Sequence, residues 1–299
     1  MIKNLAGFVG EDNVKAQVSL NEYTTFRVGG AAEIMVIVNT MEEMAKVIGF
    51  LNKCNANYFV LGNGSNLLVS DEGYKGIVIK PSGKLTDMVV VGNKITAGAG
   101  ALLSNVCKTA ADYSLTGMEF AYGIPGTVGG AIVMNAGAYG GDMSMVVDGV
   151  EAVTKEGEII YVSPHSLRFD YRKSDVAKAG IVVAMVSFKL SPGNEEEIRA
   201  TMKDIMARRV EKQPLEFPSA GSTFKRPKGH FAGQLIEEAG LKGFRIGGAC
   251  VSPKHAGFIV NDANATAKDI SDLIDAVKKK VYDNSGVKLE TEVIKIGRF

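Results

Sequence analysis

Tryptophan is absent from the chain, and cysteine and proline are scarce, with three and eight residues among 299. Cys54, Cys107 and Cys250 are odd in number and far apart, so neither a disulfide framework nor a Cys-x-x-Cys metal or redox site is available. Three buried thiols in a reducing cytosol are the expectation. An excess of either charge is also missing, because 34 Lys and Arg face 33 Asp and Glu. Such a balance leaves no global field to steer the protein toward nucleic acid or an anionic membrane surface. No run approaches the roughly 18 apolar residues of a membrane span, and the first residues reach Glu11 and Asp12 before any signal-like core. The expected location is therefore cytoplasmic. His165, His230 and His255 are scattered and no His-Glu-x-x-His motif occurs, so no metal site is expected.

What is present is a globular composition, 46% apolar and 22% charged, with length for two domains or three small ones. Glycine, at 35 residues, stands well above the usual share of about 7%. Residues 33–38 read as a strand. A helix follows, opened by Thr40 and Glu43 at capping-box spacing ahead of Met44, Val47, Ile48 and Leu51. Short strands over 58–61 and 77–79 complete an α+β subdomain over 1–80. Residues 81–210 read as a second subdomain with strands over 88–91, 94–97, 150–154, 159–162 and 181–190 and helices near 102–113 and after Pro125. Its last helix is capped by Asn194, begins with acids and ends with Arg208 and Arg209, and carries the apolar stripe Ile198, Met202, Ile205 and Met206. Pro214 and Pro218 mark a linker into a third region, 211–288, with helices over 233–239 and from Thr266. The tail 289–299 contains a last strand, over 289–296, expected to return to the first subdomain.

The glycines fail the common nucleotide motifs position by position. Gly62-Asn63-Gly64-Ser65-Asn66-Leu67 has leucine where a dinucleotide fingerprint needs its third glycine, Gly98-Ala99-Gly100 fails at Leu103, and there is no Walker A or Gly-x-Ser-x-Gly sequence. The first loop follows a strand and could present backbone N–H groups, with Ser and Asn side chains, to a phosphate; an ordinary turn is the alternative. A second cluster runs from Gly123-Ile124-Pro125-Gly126-Thr127-Val128-Gly129-Gly130 to Asn135-Ala136-Gly137-Ala138-Tyr139-Gly140. A helix start after Pro125, with Gly126 and Thr127 in its first turn, would offer an anion site, and Gly129-Gly130 would let a flat ring lie against the backbone.

These loops, the Tyr171-Arg172 pair followed by Lys173-Ser174, Gly221-Ser222-Thr223-Phe224-Lys225-Arg226-Pro227, Ala232-Gly233-Gln234-Leu235-Ile236-Glu237 and Glu292-Val293-Ile294-Lys295-Ile296-Gly297 together resemble the UDP-N-acetylenolpyruvoylglucosamine reductase (MurB) family, in that family's order and over nearly the whole chain. The short interval from Arg172 to Ser222 is similar to the subclass without an extra substrate-covering loop. The resemblance implies an α+β fold: an FAD-binding unit of the vanillyl-alcohol-oxidase/PCMH type with two subdomains, 1–80 and 81–210, and a C-terminal α+β substrate-binding domain over 211–288. It implies NADPH-dependent reduction of UDP-N-acetylglucosamine enolpyruvate to UDP-N-acetylmuramate through bound FAD, in peptidoglycan precursor synthesis. FAD contacts are then expected from Gly62, Asn63, Gly64, Ser65, Asn66, Gly123, Pro125, Gly126, Thr127, Gly129, Gly130, Asn135, Gly137 and Ala138. The FAD should be noncovalent, because no histidine lies in or near 62–67.

The same resemblance makes Arg172, Ser222 and Glu292 catalytic. Hydride arriving at C3 pushes negative charge onto C2 and its carboxylate, so a fixed cation, a hydrogen-bond donor and a proton are needed there. Arg172 matches a carboxylate bidentately, Ser222 supplies the C2 proton, and Glu292 acts if burial keeps it partly protonated. Glu290 shares a strand face with Glu292, but the alternating run Glu292, Ile294, Ile296 is expected to set Glu292 against an apolar surface. Lys225, Arg226 and Gln234 are expected to bind the UDP moiety, and Tyr171 to line the same pocket. The expected partners are small molecules, with no nucleic acid, membrane insertion or obligate protein partner. Two other classes share the glycine loops: another FAD-dependent oxidase or dehydrogenase of the superfamily, and a non-catalytic nucleotide-binding regulator. Many of the oxidases tether flavin through a histidine that 62–67 lacks, and the regulator has no reason to keep Arg172, Ser222 and Glu292 in register.

Overall fold

Thr40 opens the first long helix as its spacing predicts. Its hydroxyl accepts from the N–H of Glu43 at 3.1 Å, ahead of Met41–Lys53. The Glu43 carboxylate turns back to the N–H of Asn39 at 2.7 Å, so the reciprocal bond of the box closes one residue upstream of the cap. Met44, Val47, Ile48 and Leu51 are buried on one face and pack with Val36, Val38, Ile77, Ile79 and Leu85. The strands Ala31–Val38, Tyr74–Pro81 and Tyr58–Val60 are neighbours in one sheet. The last two are parallel, with Val60 opposite Ile79.

The computed structural model describes residues 1–299, at Ala177 the backbone only. The chain divides into two units, the first made of 1–16, 34–63 and 76–207 and the second of 17–33, 64–75 and 208–299. No division falls at residue 80. The loop 62–67 is itself divided, after Asn63.

The first unit also holds a five-stranded antiparallel sheet in the order Ile159–Val162, Val147–Val153, Val182–Lys189, Lys94–Gly98, Met88–Val91. β-Branched residues on its buried face meet the helices Leu103–Asp112 and Val128–Met134 in one apolar cluster with Ile198 and Met202. Asn194 Oδ1 accepts from the N–H groups of Glu196 and Glu197, at 2.9 and 3.2 Å, and so caps Glu195–Lys212. The apolar stripe of that helix ends at Ile205, because Met206 is exposed. A short hairpin pairs Phe169–Asp170 with Lys173–Ser174 and leaves Tyr171 and Arg172 at its turn.

In the second unit the helix Ala267–Ser285 starts in a full capping box between Thr266 and Asp269. Ile270, Leu273, Ile274, Val277 and Val281 on it are fully buried. Asp71 covers the same helix start, its two carboxylate oxygens accepting from the N–H groups of Ala267 and Lys268 at 2.8 and 2.9 Å. A three-stranded antiparallel sheet, Arg245–Ile246, Ala249–Val251 and Ile259–Asn261, and the helix Ala232–Glu238 complete this core. The last strand is shorter than expected: Ile294–Ile296 runs parallel to Leu67–Val69, a strand within 1–80 that belongs to the second unit. Upstream, 290–292 run beside 223–225, where Lys225 N–H donates to the Glu290 carbonyl and Glu292 N–H to that of Thr223, at 2.9 and 2.8 Å.

Candidate active site

Within the first unit the strand Tyr58–Val60 delivers Gly62 and Asn63 to the second glycine cluster. Asn63 Nδ2 donates to the Pro125 carbonyl at 2.8 Å. A Cβ on Gly62 would lie 2.5 Å from Thr127 Oγ1, so only glycine permits this approach. Thr127 is 3% exposed, and its hydroxyl has no hydrogen-bond partner among the described residues. The short helix begins at Val128, with Thr127 as its N-cap, so Gly126 and Thr127 precede its first turn instead of forming it. Its first amides are also committed: Val128 N–H donates to Ala101 O at 2.9 Å and Gly129 N–H to Ala99 O at 2.8 Å. The expected helix-terminus anion site therefore lacks those two donors. Gly129 is closed off as well, since a Cβ there would meet Ala99 Cβ at 2.9 Å, whereas Gly130 faces only Thr127 Oγ1 at 3.6 Å. The surface expected from Gly129-Gly130 together is reduced to Gly130.

Lys80, which no motif in the sequence signals, donates from Nζ to the Gly62 carbonyl. Burial holds its pKa below the ordinary lysine range.

The Arg172 hairpin is laced to the Asn135–Gly140 segment of the same unit. Arg172 Nη1 donates to Gly137 O at 3.1 Å, and Ser174 Oγ to Val133 O at 3.1 Å. Asn135, 6% exposed, accepts from Ser144 N–H at 3.1 Å and donates to Asp170 O at 3.3 Å. Its side-chain amide thus holds protein backbone on both sides, contrary to its expected use on a cofactor. Asn135, Tyr139 and Arg172 have φ of 41°, 52° and 57°. Three left-handed non-glycine residues, each costing about 1–3 kcal/mol, in two segments tied together are the pattern of a site held under constraint. The Arg172 guanidinium carbon lies 5.4 Å from the centre of the half-exposed Tyr171 ring.

In the second unit Ser222 is exposed beside the fully buried Thr223. Thr223 donates from N–H to Gly257 O at 2.9 Å, accepts at Oγ1 from Ile259 N–H at 3.0 Å, and accepts at its carbonyl from Glu292 N–H. These bonds fix Ser222 and draw the Glu292 backbone to the same segment. Asn66 Nδ2 donates to Glu292 O at 3.2 Å and Asn66 O accepts from Ile294 N–H at 2.9 Å, so Asn66 supports the tail. Glu292 is half-buried, but the alternation expected to explain this fails, since Val293 is buried and Ile294 is 40% exposed. Glu290 is exposed and pairs with Lys225 at 3.2 Å. Arg226 stacks over Phe231 at 3.9 Å, and Gln234 Nε2 donates to Glu238 at 2.7 Å. His255, unassigned from sequence, accepts at Nδ1 from Gly257 N–H at 3.1 Å and meets Phe258 edge-on. Burial lowers its pKa. Gly64 has φ of 61°, and a Cβ there would come within 2.1 Å of Tyr23 O; the fold requires glycine at that position irrespective of any ligand.

Residues 32–163 match the FAD binding domain, and 213–296 match the C-terminal domain of UDP-N-acetylenolpyruvoylglucosamine reductase. Over 99% of its length the chain is 48% identical to the UDP-N-acetylenolpyruvoylglucosamine reductase of Clostridium novyi, covering 96% of that protein. It is 44% identical to that of Syntrophomonas wolfei, over 99% of both. The chain belongs to the UDP-N-acetylenolpyruvoylglucosamine reductase family. A crystal structure of MurB from Thermus caldophilus is 39% identical and superposes with a TM-score of 0.84, over 95% of this chain and 99% of that one.

The FAD-binding fold and the reductase C-terminal domain expected from the sequence are both present. Within the first unit the residues also fit a cofactor of the reductase family. A buried hydroxyl lacking a partner faces a glycine that leaves room for nothing larger, and such an oxygen carries a desolvation penalty of about 1–3 kcal/mol unless a ligand completes it. Arg172 is brought to Gly137, so an expected catalytic residue and an expected cofactor segment meet. Ser222 and Glu292 are brought together through Thr223 in the second unit.

Proposed function

We propose that Arg172, Ser222 and Glu292 divide the chemistry of the reductase family's reaction in this chain. That reaction is the FAD-dependent reduction of the enolpyruvyl ether of UDP-N-acetylglucosamine to UDP-N-acetylmuramate, a step of peptidoglycan precursor synthesis with NADPH as reductant. Bound FAD supplies the means of passing a hydride from NADPH to C3 of the enolpyruvyl group. Arg172 meets the substrate carboxylate as charge builds on it; its hairpin is already tied to Gly137 and Asn135, so no reorganisation is needed at that moment. Ser222 delivers the proton to C2 from a backbone that Thr223 fixes. Glu292, in its acid form, donates a hydrogen bond to the enolic carboxylate.

The UDP moiety is held by Arg226, Gln234 and Lys225, and Tyr171 contributes to substrate binding. The Lys225–Glu290 pair is solvent-exposed and worth at most about 1 kcal/mol, so substrate phosphate can displace Glu290 at small cost. Thr127, Gly62, Asn63 and Gly130 contact the FAD, with Gly64, Ser65, Gly123, Pro125, Gly126, Gly137 and Ala138 shaping the loops around it. The FAD is noncovalent, the two-subdomain arrangement over 1–80 and 81–210 serves it, and the partners are small molecules. The protein works in the cytoplasm, in keeping with three free thiols, of which Cys107 and Cys250 are buried while Cys54, contrary to expectation, is exposed; no helix is long and apolar enough to cross a membrane.

The observation that carries the reading is the full-length match; the Arg172 Nη1 bond to Gly137 O and the Glu292 N–H bond to the carbonyl of Thr223, next to Ser222, support it. The assay is NADPH consumption with and without the UDP-enolpyruvyl sugar. Consumption that depends on the sugar is the expected result, and consumption independent of it would point to an oxidase or dehydrogenase instead.

A further inference from the structure

The two glycine loops of the first unit carry no positive side chain: neither 61–67 nor 122–131 contains Lys or Arg. Their shortage of donors is compounded at Val128 and Gly129, whose amides are committed to Ala101 and Ala99. A diphosphate held there would have to be balanced from elsewhere. Lys80 stands at the carboxyl end of Tyr74–Pro81, which runs parallel to Tyr58–Val60, with Val60 opposite Ile79. Parallel strands present ligands at their carboxyl ends, and that register brings Lys80 beside Gly62. Its ammonium is partly buried and gives one hydrogen bond, to the Gly62 carbonyl. It has three donors. No carboxylate pairs with it among the described residues, and desolvation is the sole cause of its lowered pKa. A partly buried ammonium with only a neutral partner is unfavourable unless an anion completes its surroundings. Thr127 Oγ1, buried and without a partner, sits across the same Gly62.

From this juxtaposition we infer that Lys80 provides the cation for the FAD diphosphate, a contact to the cofactor from outside both glycine loops. The ammonium does two things through one geometry. It anchors the Gly62 carbonyl, which turns the neighbouring amides of the loop away from it, and it sets a positive charge under the loop where backbone dipoles alone would otherwise act. The inference rests on the flavin reading above. Loss of sugar-dependent turnover in a protein that binds FAD normally would overturn that reading and leave this one standing.

The test compares FAD and riboflavin binding to flavin-stripped wild type, Lys80→Met and Lys80→Arg, by flavin fluorescence over a range of ionic strength. Riboflavin carries the ring system without phosphate. Lys80→Met should bind FAD at least tenfold more weakly, with a shallower dependence on salt, while riboflavin binds within twofold of wild type. Lys80→Arg should keep the salt dependence of wild type. An unchanged FAD affinity in Lys80→Met, or equal weakening of FAD and riboflavin, would overturn the inference and leave Lys80 as a tether of Gly62 alone. Should Lys80→Met fail to fold, Lys80→Gln decides by the same readings: weaker FAD binding with a shallower salt dependence and unchanged riboflavin binding upholds the inference, and FAD binding like wild type overturns it.

Discussion

Arg172, Ser222 and Glu292 differ in how far their residue types explain their positions. Arg172 occupies a left-handed backbone conformation at a hairpin turn, which an arginine adopts at a cost of about 1–3 kcal/mol, and its Nη1 already donates to Gly137. Replacement by lysine keeps the charge and loses the planar fork. We expect Arg172→Lys to lower kcat for sugar reduction at least tenfold while NADPH still reduces the flavin; equal slowing of both half-reactions would mark the change as structural. For the carboxylate, the contrast between Glu292 and Glu290 is now physical. Glu290 is exposed and paired with Lys225, whereas Glu292 is half-buried on the segment bound to Thr223. Glu292→Gln should abolish most sugar reduction, and Glu290→Gln should change it less than about tenfold, roughly 1.4 kcal/mol of transition-state stabilisation. The reverse order, read by steady-state kinetics, would move the assignment to Glu290. Gly64 shows where residue-level reading misleads. Its motif suggests phosphate contact, yet its positive φ and the approach of Tyr23 O demand glycine for the fold itself, so Gly64→Val should lower the melting temperature of the flavin-free protein as well as its flavin content.

At the scale of elements, the helices were the most legible part of the sequence. Thr266 with Ile270, Leu273, Ile274, Val277 and Val281 gives both a cap and a stripe, and the helix Ala267–Ser285 follows them. Thr40 and Asn194 cap as their spacing predicts. The tail was less legible, because its partners come from both ends of the chain: Leu67–Val69 pairs with Ile294–Ile296, and 223–225 lie beside 290–292. Between Val293 and Ile296 this change of partner breaks the simple alternation. Asp71 was invisible as a cap since it lies far from Ala267 in sequence, although both its oxygens meet that helix start. Asp71→Ala should lower unfolding stability by about 1–2 kcal/mol in urea titration; a change under a few tenths would show that water replaces it freely. His255 adds a pH dependence. Burial lowers its pKa from 6.5, so the unfolded chain takes up its proton before the folded one does. Its contribution is therefore complete above about pH 6.5 and declines as pH falls from there toward the lowered folded value. His255→Asn should flatten that decline in urea-unfolding stability, and identical pH profiles for wild type and variant would contradict it.

For the whole molecule, the family and its chemistry were legible because motifs in order survive without any knowledge of geometry. The interleaving of the two units along the chain was not. The chain passes between the two units within the strands Val14–Ser19, Ala31–Val38 and Tyr74–Pro81, within the helix Glu195–Lys212 and within the loop 62–67. Pro and Gly punctuation marks linkers, and although glycine stands at two of these crossings, as Gly64 and Gly76, neither reads as a linker between units. Residue 80 illustrates the consequence: it looks like the end of a subdomain and proves to be Lys80, a partly buried ammonium bound to Gly62. The central claim, that this chain reduces an enolpyruvyl UDP-sugar with Ser222 as proton donor, is tested most directly by mixing NADPH-reduced enzyme with the sugar and following flavin reoxidation by stopped flow under anaerobic conditions. The account predicts rapid reoxidation in wild type and a rate roughly 10²- to 10⁴-fold lower in Ser222→Ala, with flavin reduction by NADPH unchanged in both. Wild-type flavin that stays reduced in the presence of the sugar, or reoxidation equally fast in Ser222→Ala, would contradict it.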